Sequence, residues 1–262
     1  MNPPPHDYYL KFTESAVLAD ILEFHNKGNY TLHNAFKHMS YLHTLNAEDL
    51  ETLTGKELHL YPDMHLSTPI TRDAIAPLHL TRTESFDDFK RHDIKFSTIE
   101  SLIYPLLNTN KNTHKRGYPS GGALYPIEVF ICSLNETSKT WPFTEKILHL
   151  LPYSRAFEMV QNTSDPTKLK ESILPVPSSI GTPDFALIYV AYLPKTIFKY
   201  RYRGYRLALM EVGSIYMPIE LQAKLLNLKC RLWSGFTDTM LCKEMGLNPA
   251  IFTPLCVHFI GQ

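Results

Sequence analysis

Phe185-Ala-Leu-Ile-Tyr-Val-Ala-Tyr-Leu193 decides the fold. Its apolar positions are consecutive rather than alternating, so both faces need cover, and it reads as a strand at the centre of a sheet. Working outward, Ile127–Ser133 (IEVFICS) is a second strand, rich in β-branched and aromatic residues. Ile147–Leu151 and Leu255–Ile260 read as further strands. Helical spacing appears between them. Ser15–Phe24 places Val17, Leu18, Ile21 and Leu22 on one face. Phe96–Leu107 carries Leu102, Ile103, Leu106 and Leu107, with Ser97 or Thr98 as the expected cap and Glu100 close behind. Arg206–Leu228 is the longest, and Pro218 is expected to kink or break it. A further helical stretch covers Leu32–Leu42, a polar loop covers Asn108–Arg116, and Asn46–Pro77 shows no period. Residues 1–75 therefore read as a small N-terminal appendage, and residues 76–262 as the main domain. Interleaved helices and strands without Asn-Gly hairpins leave an α+β or an α/β layered domain.

Composition excludes several classes. With 262 residues, 44% of them hydrophobic, the chain can bury a substantial core. Twenty-six basic residues balance 26 acidic ones, which gives no general attraction to nucleic acid or a membrane surface. The start, MNPPPHDYYL, lacks a basic stretch followed by an apolar run, and no segment approaches the ~20 apolar residues that span a bilayer. Four cysteines without a CxxC pair suit a reducing compartment, and Cys132, Cys230 and Cys256 lie in apolar stretches that suggest buried thiols. The expectation is a soluble, cytoplasmic protein. GxGxxG, GxxxxGK[ST] and HExxH are all missing, which argues against a dinucleotide-binding domain, a P-loop and a zincin site. The 12 histidines are scattered, and His38 and His43 are poorly spaced to share a ligand, so no metal site is expected.

Two segments carry chemistry. In Arg116-Gly-Tyr-Pro-Ser-Gly-Gly-Ala-Leu-Tyr-Pro126, paired glycines just before a strand let backbone approach a ligand closely, and Ser120 adds a hydroxyl. In Lys199-Tyr-Arg-Tyr-Arg-Gly-Tyr-Arg206, four cations and three tyrosines fall within eight residues ahead of the long helix. Cations at a helix start oppose its macrodipole, which an anionic ligand would offset. Crowded cations also lower one another's hold on protons, which suits a lysine to act as a base. On spacing alone, an ordinary loop and a solvated charged face remain alternatives.

PSGGALYPIEVF (Pro119–Phe130), FKYRYRGYRLALMEVGS (Phe198–Ser214) and RLWSGFTD (Arg231–Asp238) together resemble the azoline dehydrogenases of microcin-type thiazole/oxazole peptide synthetases. Weaker similarity includes EFHNKGNY and LHLLPYSRAFE, so the resemblance covers most of the chain. It implies a nitroreductase-like, FMN-binding α+β sandwich whose central, mostly antiparallel sheet is flanked by helices. It implies that thiazolines and oxazolines, made in a precursor peptide by a partner cyclodehydratase with its zinc-binding subunit, are oxidised to thiazoles and oxazoles. It also implies a homodimer within a hetero-oligomer, with flavin near the subunit interface.

Site residues follow where the motifs match. Lys199 and Tyr200 match the catalytic Lys-Tyr pair, with Lys199 the preferred base. Ser120, Gly121 and Gly122 match the loop along the flavin, and Arg116 precedes it. Trp233, Ser234 and Gly235 match a late loop near the cofactor. Arg82, in LTRTES, stands where nitroreductase-like proteins place arginines for the FMN phosphate, although the usual Arg-Arg-Ser pattern is not present. Two other functions fit such a chain: an NAD(P)H-dependent nitroreductase-like reductase, which would not need the Lys-Tyr pair, and a scaffold subunit of the synthetase.

Overall fold

The computed structural model describes residues 5, 7–29, 44–55, 57, 60, 81–82, 84–109, 113–143, 146–160, 166–174 and 180–262. The helix expected over Leu32–Leu42, and His38 and His43, lie outside them. The chain divides into two compact units, Met1–Tyr30 with Arg82–Gln262, and Thr31–Thr81. The division therefore differs from an appendage of residues 1–75. Helix α1 (Ser15–Lys27) belongs to the large unit because Val17 and Ile21 are buried in its core. In the small unit, α2 (Ala47–Gly55) starts where the Asn46 side chain accepts a hydrogen bond from the Asp49 amide at 2.8 Å.

The large unit is built on one six-stranded sheet. Its strands are β1 (Ile127–Ser133), β2 (Ile147–Leu151), β3 (Ala156–Met159), β4 (Phe185–Tyr192), β5 (Lys229–Trp233) and β6 (Phe252–Gly261). They run in the order β3-β2-β1-β4-β6-β5, with every adjacent pair antiparallel. Every residue of β4 is buried, which matches its continuous apolar run. Phe185, Leu187, Tyr189 and Ala191 face one core, while Ala186, Ile188 and Val190 face the other. Strand β6 tolerates Pro254 because the register slips there: Tyr189 pairs with Cys256 and Val190 with Pro254, leaving Leu255 over.

Helices cover both faces. On the first lie α1, α3 (Phe96–Ile103), α5 (Pro194–Tyr200) and α6 (Tyr202–Leu225). On the second lie α4 (Pro166–Ile173) and α7 (Asp238–Glu244), through Leu169, Ile173 and Leu241. The antiparallel α+β sandwich expected from the family resemblance is borne out. Two local expectations are corrected. Helix α3 is preceded by Lys95, with Ser97 and Thr98 inside its first turn, and it tightens to a 3₁₀ turn at Tyr104–Leu106 where Pro105 removes a donor. Helix α6 begins at Tyr202 and runs through Pro218 unbroken, because Ile215 and Ile219 hold both halves in one core. All four cysteines are free; Cys132, Cys230 and Cys242 are buried, and Cys256 is half-buried.

Candidate active site

The segment before β1 is locked by its own side chains. The Arg116 guanidinium lies 4.6 Å from the Tyr125 ring centroid and donates to the Tyr118 hydroxyl at 2.7 Å. The Arg116 amide donates to the Tyr125 hydroxyl at 3.0 Å, and the Tyr125 amide donates to Ser120 Oγ at 2.8 Å. Within this frame Gly121–Ala123 make a single 3₁₀ turn. Gly122, Ala123 and Tyr125 adopt φ of 65°, 54° and 51°. Two of them are not glycine, and such backbone persists only where surroundings over-determine it.

The Lys-Tyr pair reaches this turn from the other side of the sequence. Lys199 and Tyr200 end helix α5, which stops at Arg201 with φ 50° and ψ −135° before α6 begins. A Cβ built on Gly122 would lie 2.6 Å from the Tyr200 hydroxyl and 3.0 Å from Lys199 Nζ. A side chain there would push both tips aside, and the φ of 65° itself favours glycine. The ammonium of Lys199 is 5.1 Å from the Tyr200 ring centroid, Lys199 is exposed and Tyr200 half-buried. Among the described residues no carboxylate pairs with Lys199.

The neighbouring cations are held differently from the expectation. Arg201 is ion-paired with Glu14, and the Tyr202 hydroxyl donates to Asp20. Helix α1 and the residue before it thus supply the negative charge that the start of α6 requires. His25 extends this strap: its Nδ1 is 3.1 Å from the Tyr205 hydroxyl and its Nε2 is 3.3 Å from Asp238.

The remaining expected residues lie apart. Arg82 donates to Glu220 at 2.7 Å and to Ser85. Glu220 is thirteen residues beyond Leu207, which packs on Gly121, so the two points are on the order of 20 Å apart along the α6 axis. Burial pushes the Glu220 carboxyl up, but His258 and Arg82 outweigh it and hold it below the usual range. Trp233 is taken up by the second core, where its indole N–H donates to the Ile173 carbonyl at 3.0 Å. Gly235 lies against the Trp233 ring, and Ser234 is exposed. Among the described residues no hydrogen bond, ion pair or ring contact joins Arg82 or Trp233–Gly235 to the Gly122 turn. Arg116, Ser120, Gly121, Gly122, Lys199 and Tyr200 form one cluster.

Two groups beside this cluster were not read from the sequence. Glu211, on α6 beneath the turn, is 3% exposed, and neither carboxylate oxygen has a hydrogen-bond partner. Burial pushes its pKa up to about 7, against the opposing pull of Ser120, the Ile127 amide, Arg116 and Lys195. Its signal in the sequence was a glutamate at a core position of the 3.6-residue period. Glu128, on β1, meets Lys195 at 3.3 Å and His149 at 3.2 Å. Burial raises the Glu128 carboxyl, yet Lys195 and His149 bring it down to about 2. This trio borders a cavity of about 900 Å³ whose walls include Phe130, Tyr192 and Phe252.

A six-stranded antiparallel sheet in the order β3-β2-β1-β4-β6-β5, covered by helices on both faces, defines a nitroreductase-like fold. Solved structures agree on the fold. A putative nitroreductase from Ralstonia eutropha JMP134 superposes with TM-score 0.55 at 14% identity, over 74% of this chain and 87% of its own. One from Anabaena variabilis gives 0.53 at 20%, over 80% and 43%. The chain belongs to the family of the microcin B17-processing protein McbC of Escherichia coli, to which it is 36% identical over 254 residues, 96% of this chain and 92% of McbC. It also matches a chain of the E. coli microcin synthetase McbBCD complex with truncated pro-MccB17 bound, with TM-score 0.87 and 34% identity over 100% of this chain and 98% of that one. The resemblance to microcin-type enzymes is thereby borne out. No family model matches the chain.

Proposed function

We propose that this protein is an FMN-dependent azoline dehydrogenase, which oxidises thiazoline and oxazoline rings of a precursor peptide to thiazoles and oxazoles. The observation that carries the reading is the meeting of Gly122 with Lys199 Nζ and the Tyr200 hydroxyl, which unites two segments far apart in sequence. The residues present fit a flat cofactor. The Ser120–Gly122 turn offers backbone without side-chain bulk, and the Lys199 amine stands exposed beside it. FMN bound along Ser120–Gly122 supplies a two-electron acceptor, as flavins do.

The chain's own part is position and proton handling. Oxidising an azoline removes two hydrogens. Lys199 takes the proton from the former α-carbon, and Tyr200 orients the ring against it. Arg116 keeps the turn in shape through Tyr118 and Tyr125. Arg82 is assigned to the FMN phosphate, and Trp233–Gly235 to the far wall of the cofactor site. Both lie away from Gly122 within one chain. A homodimer with each flavin near its interface relieves that separation.

The family relative in the McbBCD complex, named with truncated pro-MccB17, supports a peptide substrate and partner subunits for this chain. We assign a cyclodehydratase and its zinc-binding subunit as partners, the cytoplasm as the compartment, and partner docking to the N-terminal residues 1–75. No helix among the described residues is long and apolar enough to cross a membrane.

The test is mass spectrometry of a precursor co-expressed with its cyclodehydratase, with and without this protein. Each ring is expected to lose two further hydrogens only when the protein is present. Lys199→Ala is expected to keep the yellow flavin and lower azole formation at least a hundredfold, the range that general-base catalysis supplies. Unchanged azole formation by that variant would overturn the base assignment. Rapid bleaching of the flavin by NADPH alone would point to a reductase instead.

A further inference from the structure

Glu211 is a buried acid that the reaction as derived does not use, and its position is specific. Leu207, one turn earlier on α6, packs on Gly121. Ser214, three residues later, donates to the Glu211 carbonyl at 2.8 Å and reaches the Pro119 carbonyl at 3.3 Å. Glu211 therefore sits in the stretch of helix that underlies the catalytic turn. Two donors, the Ser120 hydroxyl and the Ile127 amide, oppose the effect of burial on its carboxyl. These stand at the two ends of Gly121–Pro126, the segment that holds Gly122 against Lys199 and Tyr200. Both donors pull on the carboxyl, yet neither meets full hydrogen-bond geometry with it in the described turn.

A buried carboxylate without donors is costly, and a neutral carboxyl far less so. The described turn therefore suits the neutral acid. We propose that Glu211 is a positioning residue for the dehydrogenase reaction: neutral, it leaves the turn in its working shape, and ionised, it draws in Ser120 and Ile127 and shifts Gly122 away from Lys199 and Tyr200. The charged and titratable groups that face it are Arg116 and Tyr118 from the loop and Lys195 from α5. Lys195 is already committed to Glu128 on β1, and Arg116 to Tyr118 and Tyr125, so neither closes on Glu211. The proposal rests on the dehydrogenase reading for its consequence, but not for the titration itself.

The variant is Glu211→Gln, which keeps the shape and cannot ionise. Two measurements are made between pH 6 and 8 on wild type and variant. The first is ring oxidation of a thiazoline-bearing peptide by the flavin-loaded protein. One pH unit above the pKa about one-tenth of the acid stays neutral. Normalised to pH 6, the wild-type turnover at pH 8 is therefore expected to be about tenfold below that of the variant, with KM little changed. The second is the protonated-carboxyl stretch in difference infrared spectra, which needs neither flavin nor substrate. A band is expected to disappear across this window in wild type and to be missing from the variant. Superimposable pH profiles, or no such titration in wild type, would overturn the proposal. A wild type that oxidises no ring but shows the infrared titration would sink the dehydrogenase reading and leave Glu211 as a titrating acid.

Discussion

At the scale of single residues, Gly122 decides more than its neighbours. Its φ of 65° lies in the left-handed region, and a methyl group there would meet the Tyr200 hydroxyl at 2.6 Å. Gly122→Ala is expected to keep the fold, as checked by circular dichroism, and to lower azole formation at least tenfold, because either the turn or the Lys-Tyr pair must move. The paired glycines were visible in the sequence, and so was the Lys-Tyr pair; that they face one another is long-range geometry that no local pattern contains. Glu211 shows the reverse case. Its helical position was legible, but its lack of hydrogen-bond partners was not, because a missing partner has no sequence signature. Its sign with pH follows directly. Burial raises the folded pKa from 4.5 to about 7, so the fold binds a proton the unfolded chain releases. The Glu211 contribution to stability is therefore fully present below pH 4.5, falls as pH climbs to about 7, and is flat beyond, a loss of up to about 3 kcal/mol. Glu211→Gln is expected to raise Tm relative to wild type at pH 8 and to show no such decline, which scanning calorimetry across pH measures.

At the scale of elements, the α5–α6 corner sets the site. One residue, Arg201, joins the two helices, and Gly204 brings the second against the first: a Cβ there would lie 3.0 Å from the Thr196 carbonyl. That backbone cannot yield as a flexible side chain does. Gly204→Ala is expected to destabilise by about 1–3 kcal/mol, the usual cost of overpacking, and to lower Tm by several degrees in a thermal melt. Strands β1 and β2 were legible to their end residues because their apolar runs are short, continuous and sharply bounded. β3 was not, since its four residues are a sheet edge with no buried member and hence no period. Helix α2 escaped for the same reason: it buries nothing, and its start is set by the Asn46 cap rather than by an apolar face. The extra turn of α6 before Arg206 was hidden by the charge of Arg201 and Arg203. The pairing of Arg201 with Glu14, and of the Tyr202 hydroxyl with Asp20, joins α6 to a segment nearly two hundred residues earlier in the chain, which no local pattern contains.

At the scale of the whole molecule, the apolar surface of α6 bears on assembly. Met210 is 69% exposed and Leu209 44%, on a helix that otherwise buries Ala208, Val212 and Ile215 in the first core. A Cβ on Gly213, one turn on from Met210, would meet nothing within 4 Å, so another backbone can come close there. A closed two-fold pairing puts the same patch on both copies, so each residue near the axis meets its own counterpart. Met210→Glu would then bring two carboxylates together out of water. Burying an unpaired charge costs several kcal/mol, and every ~1.4 kcal/mol is tenfold in the dissociation constant. Sedimentation of the wild type at micromolar concentration is expected to give a dimer, and of Met210→Glu a monomer. If the flavin is held near the interface, the variant should also lose its yellow colour on dilution, while its far-UV spectrum stays that of the wild type. A variant that sediments as a dimer would rule this helix face out of the interface. One that is monomeric yet still yellow would place the flavin wholly within a single copy, and Arg82 would then have to be replaced as the phosphate ligand by a cation nearer Gly122.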